Sequence, residues 1–230
     1  MSATVLAPDA LAALGDVADG STVMIGGFGP AGQPTELVEA LLAQGATGLT
    51  VVSNNAGNGD DPLARLIRDG RVAKMVCSFP RQVDSWHFDA AYRSGAVELE
   101  LVPQGNLAER IRAAGAGIGT FYTPTGYGTP LAEGKETRRI DGVDHVLEHP
   151  IHADLALVRA DRADRAGNLV YRKTARNFGP VMATAARRTV VQVREVVPAG
   201  ALDPEAVVTP GIYVDAVVVT GARGRGEVSA

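Results

Sequence analysis

The sequence is poor in cysteine, in aromatic residues and in long apolar runs. Cys77 is the only cysteine among 230 residues, so no second thiol exists for a disulfide within the chain. The N-terminus lacks a basic start and an apolar segment, and no apolar run approaches about 18 residues. We therefore expect a cytoplasmic protein with neither a secretory signal nor a membrane span.

An excess of positive charge is also missing. The formal net charge is -4, and acidic and basic residues are interspersed, whereas a nucleic-acid partner requires a basic face. We therefore expect a small-molecule ligand and no nucleic acid. The content of 46% hydrophobic and 21% charged residues is typical of a globular protein that buries a core.

Strand and helix patterns alternate along the first half of the chain. Mostly apolar runs predict strands, and each is followed by a helical pattern that stops near a glycine. The predicted strand and helix pairs are 22–25 with 34–43, 49–54 with 62–69, 72–79 with 83–93, and 97–102 with 106–114. Such alternation predicts an α/β fold with a single open, mostly parallel sheet and helices on both faces.

The pattern changes in the second half of the chain. Residues 120–129 are rich in glycine, proline and threonine and predict irregular structure. Thr137–Glu148 predicts a β-hairpin around the Asp-Gly pair at 141–142, in an insertion at about 130–150. Further strands are predicted at 153–158, 168–174, 190–196 and 216–219, with a helix at 178–187. Because no linker is long enough to divide the chain, residues 1–230 are predicted to form one domain.

A glycine-rich loop follows the first predicted strand. Gly27, Gly29 and Gly32 have the spacing G-x-G-x-x-G, which also occurs in dinucleotide-binding turns. In those turns the third glycine lies in the first helical turn, whereas here Pro34 is expected to open the helix two residues later. The acidic residue expected about 20 residues further on is also missing, since the second strand ends in Asn54. A nicotinamide-dependent oxidoreductase is therefore only a remote alternative.

The loops after the first four predicted strands have a similar composition. All of them offer amides, glycines or a basic side chain: Gly26–Pro34, Asn54–Gly57, Ser78–Gln82 and Pro103–Asn106. The carboxyl ends of parallel strands meet at one edge, where open α/β sheets bind ligands. We interpret this edge as a surface for hydrogen bonds to a ligand. Ordinary turns are the alternative interpretation, since Asn and Gly are common turn residues.

Six stretches of the chain carry a resemblance to a known family. They are Asp19–Pro34, Ser53–Gly57, Pro103–Arg110, Phe121–Gly126, Thr174–Phe178 and Thr209–Val214. In this order they resemble successive blocks of the family I CoA-transferases, alpha (A) subunit. The resemblance implies the open α/β fold of that family and a partner B subunit, usually in an A2B2 heterotetramer. It also implies transfer of CoA from an acyl-CoA to a carboxylate through a glutamyl-CoA thioester on the enzyme.

The resemblance also implies a division of labour between two chains. The nucleophilic glutamate of the family lies in the B subunit in a Ser-Glu-Asn-Gly context, and this chain contains no such tetrapeptide. No catalytic nucleophile is therefore expected on this chain, and CoA is expected as a substrate with no further cofactor. The loop implied to contact CoA consists of Gly26, Gly27, Phe28, Gly29, Pro30, Ala31 and Gly32.

Two amides are added as candidates facing the active site. Asn54 and Gln104 both follow predicted strands at the edge that is expected to bind the ligand. An amide side chain can also hydrogen-bond its local backbone and so order a loop. Both interpretations stay open for each residue.

The loop after the third predicted strand indicates the acceptor. Cys77–Gln82 with Asp84–Trp86 resembles the branch of the family that acts on 3-oxoadipate in aromatic-compound degradation, the β-ketoadipate pathway, and departs from the acetoacetate branch. We therefore expect transfer from succinyl-CoA to 3-oxoadipate, with a succinyl-CoA:3-oxoacid (acetoacetate) transferase as the alternative. The extra carboxylate of 3-oxoadipate suits a guanidinium, and Arg81 is the candidate. An exposed loop arginine is the alternative role of Arg81.

Other candidate groups have simpler interpretations. No metal is expected at His145, His149 and His152, because they fall on a hairpin strand and around a proline, whereas a metal pair at that spacing suits a helix. Cys77 is expected to be a small buried apolar residue. In the basic run at 159–176 a solvated face is expected, with Arg176 as the best candidate for binding an anion. A small-molecule sensor is a further alternative, but the helix-turn-helix it would need has no room before the first strand.

Overall fold

The computed structural model describes residues 4–220, and an eight-stranded sheet in which all neighbouring strands are parallel forms its centre. Across the sheet the strands are β1 (Val5–Ala7), β14 (Ala216–Val219), β12 (Ala186–Val193), β9 (Ala153–Arg159), β2 (Thr22–Ile25), β3 (Leu49–Val52), β4 (Val72–Cys77) and β5 (Glu98–Leu101). The predicted parallel sheet is confirmed.

Helices cover both faces of this sheet. Residues 4–220 contain α1 (Ala10–Leu14), α2 (Thr35–Gln44), α3 (Pro62–Arg68), α4 (Trp86–Arg93), α5 (Gln104–Gly115) and α6 (Gly179–Ala185). Successive side chains of a strand point to opposite faces. In β2, Val23 and Ile25 pack into a core with residues of α1 to α4, and Met24 packs into a second core with residues of α5 and α6. The expectation of helices on both faces is therefore confirmed.

The predicted hairpin is present within a small antiparallel sheet. It consists of β7 (Thr137–Ile140) and β8 (Val143–Glu148), joined by Asp141 and Gly142 at φ values of 50° and 82°. A type I′ turn requires positive φ at both central residues, which explains the Asp-Gly pair. A third strand, β6 (Phe121–Thr123), pairs with β8. The prediction of irregular structure at 120–129 is therefore wrong for these three residues.

A second small sheet corrects two predicted strands. It consists of β11 (Leu169–Val170), β10 (Arg162–Asp164) and β13 (Glu195–Val197). The strand predicted at 168–174 is only two residues long, because a 3-10 helix at Lys173–Arg176 follows and Lys173 takes a φ of 52°, which a strand does not allow. The strand predicted at 190–196 divides at Arg194 into β12 and β13.

The chain adds strands in two directions from the middle of the main sheet. From β2 it proceeds through β3 and β4 to β5, and it later adds β9, β12 and β14 on the other side of β2. A crevice forms at the carboxyl edge where the strand order reverses, which is the usual ligand site of open α/β sheets. The glycine-rich loop leaves β2 at this crevice. The prediction of one domain over 1–230 stays a prediction.

Between residues 4 and 220, no helix combines the length and apolar content needed to cross a bilayer.

Candidate functional site

A cavity of about 810 Å³ lies at the carboxyl ends of β9 and β12, beside the loop that follows β2. Its volume lies within the range of small-molecule sites in proteins, roughly 300 to 1,000 Å³. The wall is formed by Pro30–Gly32, Glu36, Arg159–Asp161, Arg172–Ala175, Gln192–Arg194 and Thr220. The structure thus brings the second half of the predicted CoA-binding loop, Pro30–Gly32, into the wall of this cavity.

The glycine-rich loop is a tight backbone turn. Phe28 and Ala31 exchange two backbone hydrogen bonds of 3.0 and 3.2 Å around Gly29 and Pro30. Gly29 has a φ of 56°, and the two-residue type II′ turn places glycine at this first central position for that reason. The turn is therefore encoded by the glycine and the proline that follows it.

Several backbone donors of this loop have no hydrogen-bond partner in the described part of the chain. The N–H groups of Gly27, Gly29 and Gly32 donate to no acceptor within residues 4–220. Because backbone N–H groups at a fixed position stabilise negative charge without reorganising, the loop can bind an anion or a developing oxyanion. Phe28 is about half exposed beside these donors, at 52%.

A second segment holds the loop in place. The Asn177 side chain donates to the carbonyls of Ala31, at 2.9 Å, and Thr174, at 2.7 Å. A Cβ atom on Gly32 would lie 2.6 Å from the carbonyl oxygen of Ala175. The loop and the 3-10 helix at 173–176 therefore pack backbone against backbone, which leaves room for glycine alone at position 32.

The end of β12 fixes the start of α2. The buried Gln192 side chain accepts hydrogen bonds from the backbone N–H groups of Glu36, at 3.1 Å, and Leu37, at 3.3 Å. Pro34, at the N-cap, offers no side-chain acceptor, and the first N–H groups of a helix need one. Gln192 supplies it from a distant strand, and this fixes where the glycine-rich loop ends.

Glu36 is an ionised carboxylate in the cavity wall. Burial alone would raise the pKa of Glu36, but hydrogen bonds from Thr35, from its own backbone N–H and from Gln192, with the charge of Arg159, lower it below the ordinary value. The Thr35 hydroxyl donates at 2.8 Å, and the Gln192 amide also donates to the carboxylate. The hydrogen bonds from Thr35 and Gln192 thus fix the Glu36 carboxylate in the cavity wall.

The structure places the other predicted site residues outside this cavity. Asn54 is buried, and its side chain accepts a hydrogen bond of 2.8 Å from the Ser78 hydroxyl, so it ties together the loops after β3 and β4. Gln104 is the exposed first residue of α5, after the edge strand β5. Arg81 is exposed and pairs with Asp89 at 2.6 Å. Their roles toward substrate stay predictions.

The remaining candidates lie elsewhere. Cys77 is fully buried in the core, and burial raises the pKa of its thiol to about 12, so it is not a thiolate at neutral pH. His145 bonds the Val143 carbonyl at 2.9 Å. Residues 4–220 contain no group of three or more side chains suited to a metal ion. Within the basic run, Arg159, Arg172 and Lys173 line the cavity and Arg176 does not.

A buried aspartate organises the chain next to this site. Asp164 is 2% exposed, and its carboxylate accepts hydrogen bonds of 2.9 Å from the N–H groups of Ala166 and Asn168 and from the Asn168 side chain. Asn168 in turn accepts a bond of 3.0 Å from the N–H of Gly211. Asp164 therefore anchors a segment of the Thr209–Val214 block.

Replacing Asp164 with alanine is expected to lower the free energy of unfolding by about 3 kcal/mol, because three part-buried N–H donors lose a charged acceptor. Calorimetry on the protein with its partner subunit should show a melting temperature roughly 6 to 12 °C lower. Asp203→Ala, which removes an exposed cap from Glu205, is the matched control and should shift it much less. An Asp164→Ala protein as stable as the wild type would contradict this anchoring role.

The same aspartate predicts a pH dependence. Burial alone would raise the pKa of Asp164, but the hydrogen bonds to its carboxylate lower it below 3.8. A carboxyl group whose pKa is lower in the folded protein than in the unfolded chain stabilises the fold at pH values above its unfolded pKa. This stabilisation is lost as the pH falls through the folded pKa. The difference in the free energy of unfolding between wild type and Asp164→Ala should therefore have its full size at neutral pH and become smaller below pH 3.8.

Comparison with known proteins gives a consistent result. The family described as Coenzyme A transferase matches residues 8–220. The chain is 63% identical to the A subunit of 3-oxoadipate CoA-transferase of Pseudomonas putida over 207 residues, 90% of each chain. It is 52% identical to the A subunit of succinyl-CoA:3-ketoacid coenzyme A transferase of Xanthomonas campestris pv. campestris, over 92% of this chain and 87% of that one. Its fold is similar to an acyl-CoA transferase from Escherichia coli O157:H7, with a TM-score of 0.83 and 23% identity over 96% of this chain and 48% of that chain.

Proposed function

The chain belongs to the coenzyme A transferase family, and from this premise we propose that it is the alpha (A) subunit of a heteromeric enzyme that moves CoA from succinyl-CoA to 3-oxoadipate. The observation that carries the choice of acceptor is the 63% identity to the corresponding chain of a 3-oxoadipate CoA-transferase over 90% of both chains. Identity to the relative named for 3-ketoacids is lower, at 52%.

The proposed reaction places the nucleophile on the partner chain. Its glutamate carboxylate attacks the thioester carbonyl of succinyl-CoA and expels the CoA thiolate, which leaves a mixed anhydride of the glutamate and succinate. The thiolate then attacks the glutamyl carbonyl of this anhydride, so that a glutamyl-CoA thioester forms and succinate leaves. The carboxylate of 3-oxoadipate then takes the CoA and regenerates the glutamate. Each attack on a carbonyl develops an oxyanion, which fixed N–H donors stabilise better than mobile water does.

The part assigned to this chain is to bind the acyl-CoA and to stabilise that negative charge. The free N–H groups of Gly27, Gly29 and Gly32 support this role, since they lie at the crevice of the carboxyl edge. The proposal requires the partner chain to approach the same edge, because its glutamate has to reach the bound thioester. An A2B2 assembly and a cytoplasmic location stay predictions.

The acceptor can be tested on the complex of both subunits. We expect kcat/KM for 3-oxoadipate to exceed that for acetoacetate by at least about 10-fold, which corresponds to about 1.4 kcal/mol of differential binding in the transition state. The two acceptors are measured side by side with succinyl-CoA as the donor. Equal values, or a preference for acetoacetate, would move the assignment to a succinyl-CoA:3-oxoacid transferase.

One arm of this experiment addresses Arg81. If its guanidinium binds the extra carboxylate of 3-oxoadipate, Arg81→Ala raises the KM for 3-oxoadipate and leaves the KM for acetoacetate unchanged. Arg93→Ala is the matched control, because Arg93 also pairs with Asp89, at 3.8 Å, and is 74% exposed on α4. Equal behaviour of the two variants would leave Arg81 as a surface ion-pair residue.

A further inference from the structure

Three cations in the cavity wall have no acidic partner. Arg159, Arg172 and Lys173 line the cavity, and within residues 4–220 none of them forms a salt bridge. The fourth cation of the wall, Arg194, pairs with Asp161 at 3.3 Å. The cavity thus concentrates uncompensated positive charge on a chain whose formal net charge is -4.

The acidic residues of the wall cancel only part of this charge, because Asp161 offsets Arg194 and the ionised Glu36 offsets one of the other three cations. Asp161 is engaged by Arg194, and Glu36 is engaged by Thr35 and Gln192. Arg159 is close enough to Glu36 to influence its titration, but it makes no hydrogen bond with it. A multiply charged anion can therefore enter the cavity without displacing an existing ion pair.

The backbone at Lys173 is held in an unusual conformation. Among the non-glycine residues of 4–220, Asp141 and Lys173 lie in the left-handed region, with φ values of 50° and 52°. Asp141 is explained by its hairpin turn, whereas Lys173 opens the 3-10 helix at the cavity wall with a φ of 52°. Residues in sparsely populated backbone regions cluster at ligand sites, and here the conformation belongs to one of the three cations that form no salt bridge.

We infer that this cavity binds the phosphate-bearing nucleotide end of CoA, with Arg159, Arg172 and Lys173 as the phosphate ligands. The inference rests on the proposed function, because it takes CoA as the substrate. The diphosphate and 3′-phosphate of CoA carry several negative charges, which match three cations, whereas an acceptor carboxylate matches one. A volume of about 810 Å³ suits a nucleotide and is much larger than a six-carbon dicarboxylate needs.

The position of the cavity agrees with this ligand. Pro30, Ala31 and Gly32 of the predicted CoA-binding loop form one side of it, and the cations lie on β9 and on the turn after β11. A nucleotide held here leaves the pantetheine arm free to extend along the loop toward the partner chain. The thioester would then lie outside the cavity.

The test uses the complex of both subunits with charge-removing variants. Lys173→Gly deletes the ammonium and suits a φ of 52°, so it does not strain the fold. Arg172→Gln and Arg159→Gln keep polar side chains of intermediate size. Arg187→Gln is the matched control, because Arg187 is 87% exposed at the amino end of β12, away from the cavity.

Binding of CoA is measured by calorimetry without any acceptor. Each cavity variant is expected to weaken CoA binding by at least about 10-fold, since charge-assisted bonds to phosphate are lost, and Arg187→Gln is expected to leave it unchanged. The same comparison is made with 3′-dephospho-CoA, which has lost one phosphate. The fold-decrease in affinity from wild type to each variant should be smaller for this ligand than for CoA. Wild-type affinity for CoA in all three variants would overturn the inference.

Kinetics separate the two substrates and keep this inference apart from the proposed function. The variants should raise the KM for succinyl-CoA and leave kcat/KM for succinyl-pantetheine, which lacks the phosphates, at the wild-type value. A rise in the KM for 3-oxoadipate alone would assign the cavity to the acceptor and overturn the inference. If the wild-type complex transfers no CoA to 3-oxoadipate, the proposed function fails, while the calorimetric comparison still decides the phosphate site.

Discussion

Gly32→Val is expected to lower kcat/KM of the complex for succinyl-CoA by at least about 100-fold, or about 2.7 kcal/mol. Gly32 has a φ of 78°, and a Cβ atom there would lie 2.6 Å from the carbonyl oxygen of Ala175 and 3.0 Å from the Asn177 amide. A β-branched side chain tolerates positive φ poorly, and the clash is with backbone. The loop or the turn at 173–176 has to move, which displaces the N–H donors and the cavity wall together.

Two glycine variants separate the causes of this loss. Gly70→Val is the matched control for the backbone penalty, because Gly70 has a φ of 66° with nothing within 4 Å and lies at the opposite edge of the sheet. It should keep the wild-type kcat/KM. Gly29→Ala places its Cβ in open space at a φ of 56°, so it strains the turn without a clash. A loss of kcat/KM smaller than that of Gly32→Val would assign the larger loss to the clash with Ala175. A folded Gly32→Val complex with wild-type kinetics would show that the loop is only a turn.

Removing the partner chain is expected to abolish CoA transfer, with a rate at least about 1,000-fold below that of the complex, since an enzyme without its nucleophile loses most of its acceleration. The described residues offer no substitute beside the glycine-rich loop. Glu36 is held by Thr35 and Gln192, and Cys77 is buried with its pKa raised to about 12. The assay compares this chain alone, the partner chain alone and the mixture, and robust turnover by this chain alone would contradict the half-enzyme proposal.

Much of the fold could be predicted from the sequence because its strongest signals are local. Buried parallel strands are apolar runs in the sequence, so β2, β3 and β4 can be predicted from it. The Asp-Gly pair at 141–142 predicts the turn of the hairpin. Two elements gave too little signal. The edge strand β1 leaves Val5 58% and Leu6 42% exposed, and α1 has only five residues. The strand predicted at 168–174 is too long, because the chain leaves β11 after Val170 and forms the 3-10 helix at Lys173–Arg176.

The site was only partly predictable because its contacts join distant parts of the chain. The glycine-rich loop is local and was recognised, but its anchor Asn177 lies 146 residues from Ala31. Gln192 caps α2 across 156 residues. The basic run was visible, yet only the fold shows that Arg172 and Lys173, rather than Arg176, face the loop across a cavity. Asn54 was a candidate by position, and its bond with Ser78 depends on strands that pair in space.

The half-enzyme proposal is tested most directly by locating the enzyme-bound CoA. The complex is incubated with succinyl-CoA in the absence of an acceptor and denatured, and intact-mass analysis of each chain is followed by peptide mapping. We expect a CoA thioester on a glutamate of the partner chain, which disappears when 3-oxoadipate is added, and no adduct on this chain. A CoA adduct on this chain, for example on Glu36, would contradict the division of labour between the two chains.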